Sequence, residues 1–269
     1  MPEQTADMAR SDLLLLLSLA GLLGLAAVAL SVGRVGMRSG PLLAVARAAG
    51  QLAVLALVLR LAFTNALVAA ALVTVMLIAV AVTSGRRLEP GRRHIAQVLL
   101  ASTAGAGPAL LLLLGPGAFP RTPRYVIAFA GVVLGGTMTV CTLSGRRLRD
   151  AVADRWPEVE GWLALGATSR QAVAPFLPGA VREALLPALD QTRTTGLVTL
   201  PGAFVGSLAG GASPAEAARF QIAVLAGILA AQAVSAVVLV GLLAPELAVA
   251  PSTDGEGGRA ARAPAGAPR

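Results

Sequence analysis

The sequence predicts an all-α polytopic membrane protein with about seven transmembrane helices, its N-terminus outside and its C-terminus in the cytoplasm. Three observations lead there. Of 269 residues, 56% are hydrophobic and only 13% charged, where a soluble domain carries about 25% charged residues. The apolar residues gather into runs of about 20, the length a helix needs to cross a core about 30 Å thick. The basic residues between those runs fall mostly on one side.

Seven segments qualify as spans: 12–33, 41–60, 62–83, 95–114, 124–144, 192–211 and 218–243. The first has an apolar stretch from Leu13 to Val32, longer than the roughly 7–15 residues of a secretory signal, and reads as a retained anchor. The second and third come from one apolar run, 48–83, broken only by Arg60 and Asn65. As a single helix that run would be about 54 Å long, nearly twice the core. It has to fold back, and "RLAFTN" at 60–65 is the place. An arginine at mid-bilayer costs about 2.5–3.5 kcal/mol, which also sends Arg60 to an interface.

The fourth and sixth segments contain "TAGAGP" (103–108) and "TLPG" (199–202). Broken helices at mid-membrane mark translocation paths, so Pro108, Pro201 and Gly202 are candidate path residues. On the fifth, Met138 and Cys141 lie at i and i+3 beside Thr137, the only paired soft atoms available to a metal; no other metal ligands can be assigned. Gly131 and Gly135, and Gly202, Gly206 and Gly210, recur every fourth residue as small faces for helix packing. "SGRRL" occurs at 84–88 and again at 144–148, each placed to end an inward-going span with Gly closing the helix and Arg complementing its dipole.

The domain organisation that follows is an N-terminal segment, 1–11; a permease domain, 12–245, with a cytoplasmic loop at 145–191; and a disordered Pro/Gly/Ala-rich tail, 246–269. Orientation comes from arginine. The connections 34–40, 84–94 and 145–191 with the tail, together with Arg47 just inside the second span, hold sixteen arginines, seventeen with Arg193, against five on the other side. This is a strong positive-inside signal.

Composition excludes several functions. All 22 basic residues are arginine, so a phosphate-binding loop, which needs its lysine, cannot be built from this chain. One cysteine and one histidine make neither a disulfide framework nor a Cys/His metal cage. A net charge of +8 with 3% aromatics fits topology rather than nucleic acid. Ser84 and His94 share a loop, but no orienting acid or oxyanion donor accompanies them, so the chain does not read as an enzyme. The alternative to a pumped permease is an ion-coupled secondary transporter working without an ATPase. No acidic residue falls in the interior of the seven segments, Asp12 standing at the very start of the first, and such carriers use an intramembrane carboxylate.

The long connection has its own pattern. Val159, Trp162, Leu163 and Gly166 fall at i, i+3, i+4 and i+7, with Glu158 and Glu160 elsewhere on the wheel. Gly166 breaks this helix, Thr168 and Gln171 have capping-box spacing for another, and Pro175 and Pro178 keep the second one short. In "EGWLALGAT" (160–168), Glu160 stands six residues before Gly166-Ala167. The segment resembles the E-A-A-x-x-x-G-A coupling loop of ATP-binding-cassette permeases, with Gly161 and Trp162 replacing the two alanines. Residues 163–224, with "GLVTLPG", "AGGASPAEA" and "FQI", are similar to the FetB (YbbM) iron-export permease family, whose plant relatives act in aluminium tolerance. That resemblance implies a plasma (inner) membrane permease subunit that pairs with a second copy of itself and with a nucleotide-binding ATPase subunit, exporting iron. ATP and Mg would sit on the partner, with no cofactor in this chain and no nucleic-acid partner. Glu158, Glu160, Trp162, Gly166, Ala167 and Thr168 are then the ATPase-coupling candidates.

Overall fold

A computed structural model describes residues 2–37, 39–89 and 91–248; residues 249–269, most of the predicted tail, lie outside these. The described part is helical, with no strand among those residues: α1 (Pro2–Val32), α2 (Gly40–Ala62), α3 (Ala66–Leu88), α4 (Arg92–Leu114), α5 (Pro123–Asp154), α6 (Trp156–Ala164), α7 (Ser169–Val173), a 3-10 turn (Ala174–Phe176), α8 (Leu177–Thr194), α9 (Gly202–Ala209) and α10 (Pro214–Leu247). Seven helical stretches are long and apolar enough to cross a membrane: Leu13–Val32 of α1, α2, α3, α4, α5, Ser169–Thr194 and α10.

The chain divides at Thr64–Asn65 into two compact units. In the first, α1 and α2 pack on each other and keep their leucines exposed, as suits side chains whose solvent is lipid. The helix break expected at 60–65 is present: α2 stops at Ala62, and Asn65 caps α3 by accepting from the amides of Leu67 (2.9 Å) and Val68 (3.4 Å). In the first unit the 1–11 segment is no separate piece, because α1 runs continuously from Pro2.

The second unit is a bundle of α3, α4, α5 and α10, with α8 laid on α5 and α10. Its core is Val98 and Ala101 of α4, Phe129, Val133 and Leu148 of α5, and Leu239 and Leu243 of α10. Small residues let the helices close. A Cβ on Gly105 would run into Ala231 and Ser235 of α10, and one on Gly136 would stand 3.1 Å from Gln232 and Ile228. Ser84 donates to the Met138 carbonyl (2.9 Å), Thr142 to Ser84 (3.1 Å), and Gln232 to the Gly136 carbonyl (3.2 Å), so polar groups inside the bundle pair across helices.

Four expectations are corrected. "TAGAGP" does not interrupt α4, which runs through Pro108; its Gly105 serves packing instead. The second "SGRRL" does not end a helix: α5 continues to Asp154, and Gly145 lies buried against Leu88 and Leu243. Residues 192–211 are not one helix. Gly196 (φ +86°) and Pro201 break the run, so α8 ends at Thr194 and α9 is a separate piece of eight residues. Finally, 145–191 is helical almost throughout, and α10 carries residues 246 and 247, which composition had assigned to the tail.

Candidate coupling and transport sites

The end of the bundle from which α5 projects is tied by charge. Arg149 of α5 lies 3.0 Å from Glu89 and 3.2 Å from His94 Nε2, and donates to the Leu88 carbonyl. Glu246 of α10 lies 2.7 Å from Arg93 and 3.5 Å from His94, while Gln97 donates to the Leu242 carbonyl (3.2 Å). Arg149, His94 and Glu246 are mostly buried, so their pairing is screened less than that of surface ions. The end of α5 is thereby tied to α4, α10 and the C-terminus of α3.

Beyond that network α5 hands over to a helical hairpin. Val159, Ala172, Val173 and Phe176 are buried beneath it, with Leu163 and Trp156 packed alongside; the Arg155 guanidinium covers the Phe176 ring at 4.4 Å. Gly166 turns the chain at φ +89°, a conformation that glycine adopts freely. Its amide donates to Leu163 (2.9 Å) and that of Ala167 to Trp162 (3.0 Å), which is a Schellman closure. Thr168 then opens α7 with a full capping box to Gln171. Trp162 departs from the expected apolar face. It is 47% exposed on the outer side of α6 with Leu165, which is 83% exposed, and Glu158 and Glu160 are exposed with them. Trp156, Val159 and Leu163 form the inward stripe.

The path candidates scatter. Thr137 is buried and donates to its own helix at Leu134 (2.8 Å). The Cys141 thiol is buried 3.9 Å from the Ser102 hydroxyl, and Met138 packs against the core. Pro108 is exposed on α4. Pro201 and Gly202 start α9 after a turn in which Thr195 and Thr199 bridge. Among the described residues no three His, Cys, Asp or Glu side chains converge as a metal would need. Of the packing glycines, Gly131 meets Met76 (3.1 Å), whereas Gly135, Gly202 and Gly206 have nothing within 4 Å of where a Cβ would stand, and Gly210 meets only its own helix.

Two features were missed in the sequence. Arg182, Glu183, Asp190 and Arg193 lie exposed along α8, opposite its buried Ala180 and Ala184. Arg147 of α5 pairs with Glu183 (3.2 Å), setting the first half of α8 level with the polar end of α5. About ten residues of α8 remain beyond that pair, roughly 15 Å or half a bilayer core, and they include Asp190 and Arg193. A carboxylate therefore does occur on a candidate span, contrary to the sequence expectation. The second feature is a cavity at the other end of the bundle, between the 115–122 connection, α5, α9 and α10.

The profile of an uncharacterised protein family, UPF0014, matches residues 13–247. The chain belongs to the UPF0014 family. Rice UPF0014 membrane protein STAR2 is 40% identical over 216 residues, 78% of this chain and 75% of its own length. The Arabidopsis protein ALUMINUM SENSITIVE 3 is 40% identical over 157 residues, 58% of this chain and 57% of its own. The probable iron export permease protein FetB of Escherichia coli is 30% identical over 173 residues, 63% of this chain and 67% of its own. No solved structure matches this UPF0014 chain. The matched range runs through every span and the α6–α7 hairpin.

Proposed function

We propose that the chain is the membrane permease subunit of an ATP-binding-cassette exporter, working as two copies with a separate ATPase subunit and moving iron out of the cytoplasm. The observation that carries this reading is the outer face of α6. Trp162 and Leu165 stand exposed on the side of α6 that carries Glu158, with Glu160 exposed across the helix and Val159 buried beneath. An exposed tryptophan on a rigid support is a strong anchor for a protein partner. The Arg149–His94–Glu246 network joins that support to the bundle, so force applied at α6 reaches the helices around the path. Gly166, Ala167 and Thr168 hold the hairpin in shape and are positioning residues. ATP and Mg belong to the partner, since no lysine is present for a phosphate loop.

The charged side of α8 supports a transport path. Asp190 and Arg193 lie 3.7 Å apart as an ion pair; charges facing lipid at mid-membrane are costly even when paired, and facing a water-filled path or a second copy lowers that cost. The α8–α9 break beside them, with Pro201 and Gly202, has the form of a discontinuous transporter helix. Iron as cargo and export as direction follow the name of the FetB relative, and the plasma membrane is the location proposed with them. The arginine count supports an N-terminus outside and α6 in the cytoplasm.

The test is reconstitution with the co-expressed ATPase. Glu160→Ala with Trp162→Ala should lower transport-stimulated ATP hydrolysis about 30-fold, the loss of an anchor of 2 kcal/mol, while leaving insertion and thermal stability unchanged. Undiminished coupling would remove the proposal. Asp190 favours a second reading, an ion-coupled carrier. Uptake by the purified chain alone in liposomes, driven by an ion gradient without ATP, would establish it instead.

A further inference from the structure

The cavity at the end of the bundle away from α6 has a chemistry that the coupling machinery does not use. It measures about 770 Å³, within the range of about 300–1,000 Å³ typical of small-molecule sites. The chain has only six Phe, one Tyr and two Trp, yet Phe119, Tyr125, Phe129 and Phe220 meet here with ring centroids 5.0–6.3 Å apart. Phe129 is fully buried and accounts for the adhesive role of the cluster. The other three are half-buried and line the cavity.

Arg124 and Arg219 also line it, with Glu216 as the one acidic residue. Glu216 is already engaged: one oxygen accepts from the Ser213 amide (2.9 Å) and hydroxyl (2.7 Å) in the cap of α10. Two guanidiniums and one carboxylate give the lining a net positive charge, with Arg219 also acting on Glu216. An aromatic floor under a positive rim suits a ligand with a flat apolar body and an anionic group, the rings taking the body by stacking and the guanidiniums the charge. A cationic ligand would meet the same arginines unfavourably. The α9 wall is made of small residues, Gly206 and Ser207 among them, and an added Cβ at Gly206 meets nothing within 4 Å, so that wall is open rather than packed.

We propose that this cavity is a binding site for an amphipathic organic anion, an aromatic phosphate or carboxylate or the headgroup of an anionic lipid. It lies about 36 Å along α5 from the Arg149 network, counted from Tyr125, and requires no ATPase. Its test is therefore independent of the coupling proposal.

The full chain is placed in nanodiscs of phosphatidylcholine alone, or with added phosphatidylglycerol, and titrated with 1-naphthyl phosphate. Saturable binding is expected in the neutral discs. Arg219→Gln, at an exposed position, should weaken it about tenfold, the loss of one charge-assisted contact, and Gly206→Phe should abolish it by filling the space. If the occupant is a lipid, 1-naphthyl phosphate will bind more weakly in the mixed discs. Native mass spectrometry will then show phosphatidylglycerol retained by the wild type and lost from Arg219→Gln. Equal binding and equal lipid retention by the wild type and both variants would overturn the proposal. So would an absence of probe binding and lipid retention in both kinds of disc.

Discussion

Residues 164–171, "ALGATSRQ", and 209–216, "AGGASPAE", build the same turn at two places in the bundle. Gly166 and Gly211 have φ of +89° and +91°. The amides of Gly211 and Ala212 bond to Leu208 and Ser207, both at 3.0 Å, repeating the closure at Gly166, and Thr168 and Ser213 both form capping boxes. What the turns carry is different. α6 buries Val159 and shows Glu160, Trp162 and Leu165 outward; the corresponding positions before the second turn are Val205, Ser207 and Gly210, on α9, which buries nothing. One hairpin presents large side chains on a fixed base. The other presents small ones around a cavity. A glycine-hinged turn between helices is thus no mark of coupling by itself, and the residues displayed on it decide its use.

The comparison breaks first at the packing beneath each hairpin. Phe176→Ala should destabilise the α6–α7 hairpin by about 3–5 kcal/mol, the usual cost of a buried aromatic. Phe204→Ala on α9 should shift unfolding far less, which thermal melts in detergent will read. Equal losses would mean that the two hairpins are equally anchored. Next come the hinges. Gly166→Val and Gly211→Val each force a branched side chain into the left-handed region at about 1–2 kcal/mol. The first should depress ATPase stimulation and spare probe binding in the cavity, and the second should do the reverse.

Caps come third. Thr168→Ala and Ser213→Ala should each cost about 1 kcal/mol, seen as faster amide exchange at Gln171 and Glu216. α7, with five residues, should melt locally, whereas α10, with 34, should only fray. The smallest effect belongs to Glu183→Gln. Its ion pair with Arg147 is half exposed on both sides, and a surface pair contributes about 0–1 kcal/mol.

Much of the fold could be read from the sequence because membrane helices leave a signal in length and apolarity alone. The helix break at 60–65, the α6 hinge and the Thr168 capping box were all legible from residue types with a fixed local role. The sixth crossing was not. Hydropathy weights Leu197, Val198 and Leu200 heavily and does not register that Gly196 and Pro201 leave them no helix to occupy. The same window passed over α8, whose polar side chains lie on one face only. Trp162 was placed on the wrong face because a period of 3.6 tolerates neighbours to either side of the stripe. The cavity and the His94 network join residues about 100 and 150 positions apart, and no local pattern records that. Its one hint was the gathering of scarce aromatics at 119–129.

The most direct measurement is a proximity test on the two turns. Cys141 is the only native cysteine and is buried, so Leu165→Cys and the matching Gly210→Cys each place a single reactive thiol outside. With a co-expressed ATPase subunit and a short bifunctional cross-linker, the account predicts a covalent adduct from position 165 and none from position 210. Adducts from both positions, or from 210 alone, would contradict it.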